Sequence, residues 1–267
     1  MNMENEPQKN DDHLMDGGFA VVDRERLIAE ETKEITPWYK NLMNLFVAPK
    51  KTMNETILAD PVKGTALGFF SAAFLGIIYM IIYYMNPVVK MTIYDTLRAA
   101  GISEERLATQ MKITTVSSCI GILVGVLLAS LIVTVLLQII RAIAKDKGSF
   151  KQLFIISLLS QVVTYAVLVV DGILQSLLGT STTVLGLGAL FSAETLTQNI
   201  ALQTLVSEFS VGNIWGVIIL IIGYKAMSQK STKKSVIVVL IYELITVFYT
   251  YGMLALSQAA TQMLNQM

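Results

Sequence analysis

Apolar residues in this chain do not alternate with polar ones. They gather in five blocks, over residues 65–86, 113–140, 152–178, 209–227 and 235–257, separated by polar connections. A helix needs about 20 residues to cross a hydrocarbon core, and each block is close to that length or longer. The pattern predicts an all-α integral membrane protein with five transmembrane helices and amphipathic juxtamembrane helices. Residues 35–64 carry the amphipathic signal. Trp38, Leu42, Leu45 and Phe46 recur at helical spacing, with Lys40, Asn41 and Asn44 opposite them. Pro49 is expected to end this helix, and Thr52 with Glu55 three residues on has the form of a capping box for a second short helix bearing Met53, Ile57 and Leu58. Residues 1–34, rich in Glu, Asp, Asn and Lys, predict a mostly disordered acidic tail, and residues 258–267 a short tail after the last span.

Charge sets the orientation. The segment before Thr65 and the connections around Lys145 and Lys230 fall on one side of a five-span bundle and hold 16 of the 20 basic residues. No Lys or Arg lies between Ser157 and Gly223, or after Lys234. Basic loops stay in the cytoplasm, so the amino terminus is expected inside and the carboxyl terminus outside, in the plasma membrane. Lys90, Arg98, Arg106 and Lys112, on the nominally outer side, run against this bias. Between Pro87 and Lys112, Ser103 is placed to cap a helix that continues into the second span. The basic-free connection 179–208 predicts an amphipathic helix through Leu196, Ile200 and Leu205.

Composition confirms the solvent and removes several function classes. Mean hydropathy is +0.60, charged residues make up 15%, and the formal net charge is zero, so nucleic acid is not an expected partner. The first residues lack the apolar run of a cleaved secretory signal. The single cysteine, Cys119, lies inside the second block and permits neither an internal disulfide nor a zinc cluster. An intramembrane aspartyl protease needs two aspartates on facing spans, and only Asp171 is available. His13, the one histidine, lies in the tail, so zinc-ligating and serine-protease arrangements have no base. No phosphate-binding glycine loop occurs. The expectation is a non-enzymatic chain with no catalytic residues, no metal and no cofactor.

Three groups of residues remain as candidates. Small residues recur every fourth position as Gly64, Gly68, Ala72 and Gly76 in the first span, Ser117, Gly121, Gly125 and Ala129 in the second, and Gly212 and Gly216 in the fourth. Such stripes bring backbones together where lipid supplies no hydrophobic drive, either within the chain or against partner spans. Asp171 and Glu243 are ionisable groups inside spans, which is costly, so they are expected to be hydrogen-bonded or to face water. Gln161, Tyr165, Gln175, Tyr242 and Thr246 are their candidate neighbours. Trp38, Phe46, Lys50 and Lys51 form an interfacial anchor suited to an anionic membrane surface.

The order Trp38, Leu42, Phe46, Pro49, Lys51, Thr52, then Asp60 and Pro61 before the first span, resembles the opening of the Yip domain, named for proteins that interact with Ypt/Rab GTPases. Lys147 to Lys151 entering the third span, and Trp215, Gly216, Gly223 and Tyr224 in the fourth, are similar to later segments of its bacterial and archaeal branch. The resemblance implies a five-span bundle with a cytoplasmic amino terminus and no catalytic residues to carry over. A few bacterial relatives are accessory factors for membrane transport complexes. Two functions stay open. One is a membrane scaffold whose partners are the bilayer, other membrane proteins such as ABC transporter subunits, and further copies of itself. The other is a small channel or carrier for an ion, proton or lipid that uses Asp171 and Glu243.

Overall fold

The computed structural model describes residues 37–265, and the acidic tail expected at 1–34 lies outside them. Helix α1 spans Trp38–Val47. Helix α2, Pro49–Met53, passes into a π-helical turn at Asn54–Ala59. The first long helix, α3, is Pro61–Met85, and α4 is Pro87–Ala99. The forty-residue α5 runs Glu104–Ile143 and is followed by α6, Phe150–Leu178. Two short helices, α7 (Ala193–Gln198) and α8 (Ile200–Glu208), precede α9 (Val211–Ser228) and α10 (Thr232–Asn265). Five of these, α3, α5, α6, α9 and α10, are long and apolar enough to cross a membrane. The chain is a multi-pass, all-helical membrane protein.

Helix α6 is the centre of the bundle. It contacts α3, α5 and α9, and half of its apolar window is buried inside the protein, against 17% for the peripheral α10. Ile155, Ile156, Ser157, Leu158 and Leu159 are buried in succession, so this stretch is covered on all sides. Its ends are strongly marked. Ser149 and Gln152 form a reciprocal capping box, and Gly179 closes the helix at a left-handed φ of 64°. Sparse polar bonds tie neighbours to it and to each other: Gln161 Nε2 donates to Ser130 Oγ at 2.7 Å, and Tyr84 pairs with Ser118 at 2.7 Å.

Several local expectations change. Helix α1 stops at Val47, just before Pro49 as expected, but Pro49 also opens α2, sitting in its first turn where its missing N–H costs nothing. Thr52 is therefore inside a helix and not at its cap. It is buried, and its hydroxyl reaches back to the Asn41 carbonyl at 3.4 Å, while Glu55 pairs with Lys51 at 3.9 Å. Helix α1 docks through Asn41 and Leu45, which are buried, so Trp38 and Phe46 point outward rather than into the protein. The cap of α3 is Asp60, whose carboxylate accepts from the Lys63 N–H at 2.9 Å. Ser103 stands at the start of α5 but makes no side-chain cap bond. The connection 179–208 is broken at Asn199 into two helices, with Leu205 exposed and Thr204 and Val206 turned inward. The last helix continues to Asn265, so the short tail expected from 258 is largely helical.

Candidate functional site

The spans meet polar connections at two ends of the bundle, one basic, carrying Lys145 and Lys230, and one far from it. At the basic end the loop after α5 turns through Lys145 in the left-handed region (φ 52°) and Gly148 (φ 133°). The angle favours glycine, and a Cβ at Gly148 would lie 2.5 Å from the Met227 sulfur, so any side chain there would also have to displace the Met227 thioether. This turn buries Asp146. Lys234 Nζ donates to Asp146 Oδ1 at 2.5 Å and to the Ala144 carbonyl at 3.1 Å. The Tyr224 hydroxyl donates to Oδ2 at 2.9 Å, and Arg141 Nη1 donates to the Asp146 carbonyl at 2.8 Å. Burial alone would raise the Asp146 carboxyl, but the bonds from Lys234 and Tyr224 outweigh it and hold the group below the ordinary range. One carboxylate thus fastens α9, α10 and the α5–α6 turn. Sequence reading passed over it because Asp146 sits in a run of cations where an acid reads as surface charge; Tyr224 and Lys234 are 78 and 88 residues away.

At the far end, Asp171 is buried on α6 and both its oxygens are engaged. Oδ1 accepts the backbone N–H of Val184 and of Leu185 at 2.8 and 2.6 Å, and Oδ2 accepts Gln175 Nε2 at 2.6 Å. Asn86 adds a bond from Nδ2 to the Thr180 carbonyl at 2.8 Å. The loop after α6 is therefore pinned by side chains. Of the expected neighbours Gln175 is one; Gln161 instead reaches α5, and Tyr165 packs at Gly76. Glu243 is elsewhere, half-buried on α10, within electrostatic reach of Glu208 at the end of α8. Thr246 bonds its own helix at the Tyr242 carbonyl. Glu208 accepts Asn213 Nδ2 at 2.9 Å and the Thr250 hydroxyl at 3.2 Å, yet burial dominates and pushes its carboxyl above the ordinary range. Asp171 and Glu243 thus belong to separate polar groups on different helices. Arg98, one of the cations against the charge bias, is matched by Glu104 at 2.6 Å and Asp95 at 3.0 Å.

The small-residue stripes divide into covered and uncovered. A Cβ on Gly68 would lie 2.7 Å from Leu158 Cβ, on Gly76 2.6 Å from Ile122, and on Gly64 2.5 Å from the Thr56 carbonyl; Ala72 between them is fully buried. On α9, Gly212 and Gly216 lie against Thr164 of α6, whose hydroxyl would be 2.8 Å from a Cβ on Gly216. Gly223, named above only for its family resemblance, would meet Ile156 at 2.6 Å. The second-span stripe behaves otherwise. Among the described residues nothing lies within 4 Å of a Cβ at Gly121 or Gly125, and Ser117 and Ala129 on the same face are exposed. Around them Leu128, Ile132, Val124 and Ile120 also face outward.

These features define a class: a multi-pass helical membrane protein whose buried polar groups clamp helix ends, with one small-residue face of its longest helix left uncovered. Among the described residues no group of three or more His, Cys, Asp or Glu is placed to hold a metal ion. The chain matches the family profile of the Yip1 domain over residues 43–254, which is more than half its length, and it belongs to that family. No curated protein and no solved structure matches it.

Proposed function

We propose that the protein is a non-enzymatic membrane scaffold that assembles or regulates a membrane complex through the outward face of α5. The observation that carries this reading is the contrast between stripes: those of α3 and α9 are consumed in packing against α6, α5 and the turn after α2, whereas Gly121 and Gly125 meet nothing among the described residues of their own chain. A partner span gains close van der Waals contact there without displacing any side chain. The complex we have in mind is an ABC-type exporter, to which a chain without a phosphate-binding loop brings structure and not ATP hydrolysis. In this proposal the protein sits in the plasma membrane with the basic end cytoplasmic, supported by the charge distribution, and Trp38, Phe46, Lys50 and Lys51 anchor α1 and α2 at that surface, supported by the outward turn of Trp38 and Phe46. Asp171 serves to fasten the loop after α6, since protein donors occupy both of its oxygens.

The test replaces Gly121 and Gly125 together by Leu in the tagged chain, purifies it from its native membranes in mild detergent and identifies what accompanies it by mass spectrometry. Loss of a near-stoichiometric partner with unchanged helicity and thermal unfolding supports the proposal. A co-purified set identical to the parent's removes α5 as the contact.

A further inference from the structure

Between α1 and the outer side of α3 lies an open groove of about 800 Å³, lined by Trp38, Leu42, Lys63, Leu67, Phe70 and Phe74 among others. That volume falls within the range of about 300–1,000 Å³ found for small-molecule sites. Its shape is directional. From Lys63 to Leu75 the lining follows α3 for twelve residues, about 18 Å at 1.5 Å per residue, starting at the basic end and running toward mid-span. Chemistry changes along it in the same sense. Lys63 is the one charged side chain in the lining and stands at the mouth; beyond it Ala66, Leu67, Phe70, Phe74 and Leu75 are apolar, with Ser71 the only hydroxyl. Phe70 and Phe74 are more than half exposed, so the groove opens sideways, to the surroundings of the span and not into the bundle.

We propose that this groove binds one anionic phospholipid, its acyl chain along Leu67, Phe70 and Phe74 and its phosphate at Lys63, under the edge of Trp38. A headgroup-level cation followed by an apolar channel of this length fits an amphiphile with one charge at one end. An extended peptide segment would need partners for its backbone along the channel, and the lining offers almost none. The sign follows from Lys63 and from the neighbouring Lys40, Lys50 and Lys51, which outnumber Glu55 and Asp60 in residues 37–64. The site is separate from the face of α5.

The experiment uses the full chain carrying Trp215→Phe, so that Trp38 is the sole tryptophan, reconstituted in phosphatidylcholine vesicles. Quenching of Trp38 is titrated with phosphatidylglycerol or phosphatidylcholine brominated near the top of the acyl chain. The expected result is a preference of about fivefold for phosphatidylglycerol, equivalent to about 1 kcal/mol for one basic contact. Lys63→Gln should remove the preference and Lys63→Arg retain it, while Lys51→Gln, at a largely exposed side chain paired with Glu55, should leave it near the parent value. Filling the channel by Ala66→Leu with Ser71→Leu, both facing the groove, should reduce quenching by either lipid. Equal quenching by the two lipids in the parent overturns the proposal. So does an equal loss from Lys51→Gln and Lys63→Gln, which means diffuse surface attraction, and so does protection of Trp38 from both lipids, which means that protein covers the groove.

Discussion

Neutralising or deleting members of the Asp146 cluster tests whether this carboxylate fastens the basic end. Its side chain is fully buried, whereas Lys234 is 38% exposed, so the two partners are not equivalent. Asp146→Ala loses a charge-assisted bond, worth about 1.5–3 kcal/mol, at the lower end because Lys234 can turn to water. It also strands the buried Tyr224 hydroxyl, which adds about 1–3 kcal/mol, for a total of about 3 kcal/mol. Lys234→Met is worse, about 3–5 kcal/mol, because it leaves a buried carboxylate with one hydroxyl bond and only the more distant charge of Lys230 to offset it. Asp146→Asn keeps an acceptor for Tyr224 and should cost least. The assay is unfolding in mixed micelles by added sodium dodecyl sulfate, followed by circular dichroism. An order in which Lys234→Met is as stable as the parent, or in which Asp146→Asn is the most damaging of the three, would refute the clamp.

The depressed Asp146 carboxyl gives a pH dependence of definite sign. Its contribution is present above the unfolded-state value of about 3.9 and is lost as pH falls through the lower folded value; the acid limb of a stability–pH profile should therefore be steeper in the parent than in Asp146→Asn. Packing at the glycines should split by position. Gly68→Ala and Gly223→Ala, where a Cβ would meet Leu158 and Ile156 side chains, are expected to lose about 1–3 kcal/mol in the same unfolding assay, and Gly121→Ala to change by no more than about 1 kcal/mol in the stabilising direction. At the far end, Asp171→Ala frees two backbone N–H groups of the loop, so amide hydrogen exchange at Val184 and Leu185 should accelerate by at least about tenfold without a matching change in α3.

The five spans could be read from the sequence because membrane crossing imposes one long apolar block per helix, and helix-end chemistry sharpened the picture only at some boundaries. Asp60 and Ser149 cap as short polar residues do, while the Thr52–Glu55 signature was overridden by Pro49, which starts the same helix earlier. The stripes at Gly64–Gly76 and Gly212–Gly216 were visible as spacing, but spacing does not say which stripe finds a neighbour in the chain and which faces out. That depends on three-dimensional rotation of each helix about its axis. The same holds for α1, where an Asn and a Leu on adjacent turns point inward in place of the aromatic face. Asp146 escaped notice because its partners come from the other end of the sequence, and Asp171 drew notice for its cost without revealing that loop backbone satisfies it.

The long separation of Asp146 and Lys234 also orders the making of the protein. The chain emerges from its amino end, so the acid is in place 88 residues before the ammonium that neutralises it. Through that interval the loop after α5 holds its carboxylate in water, because burying it without Lys234 is costly. A nascent chain truncated before residue 234 has four of the five spans and lacks the ammonium that allows Asp146 to be buried. Closing the turn therefore waits on the start of the last helix.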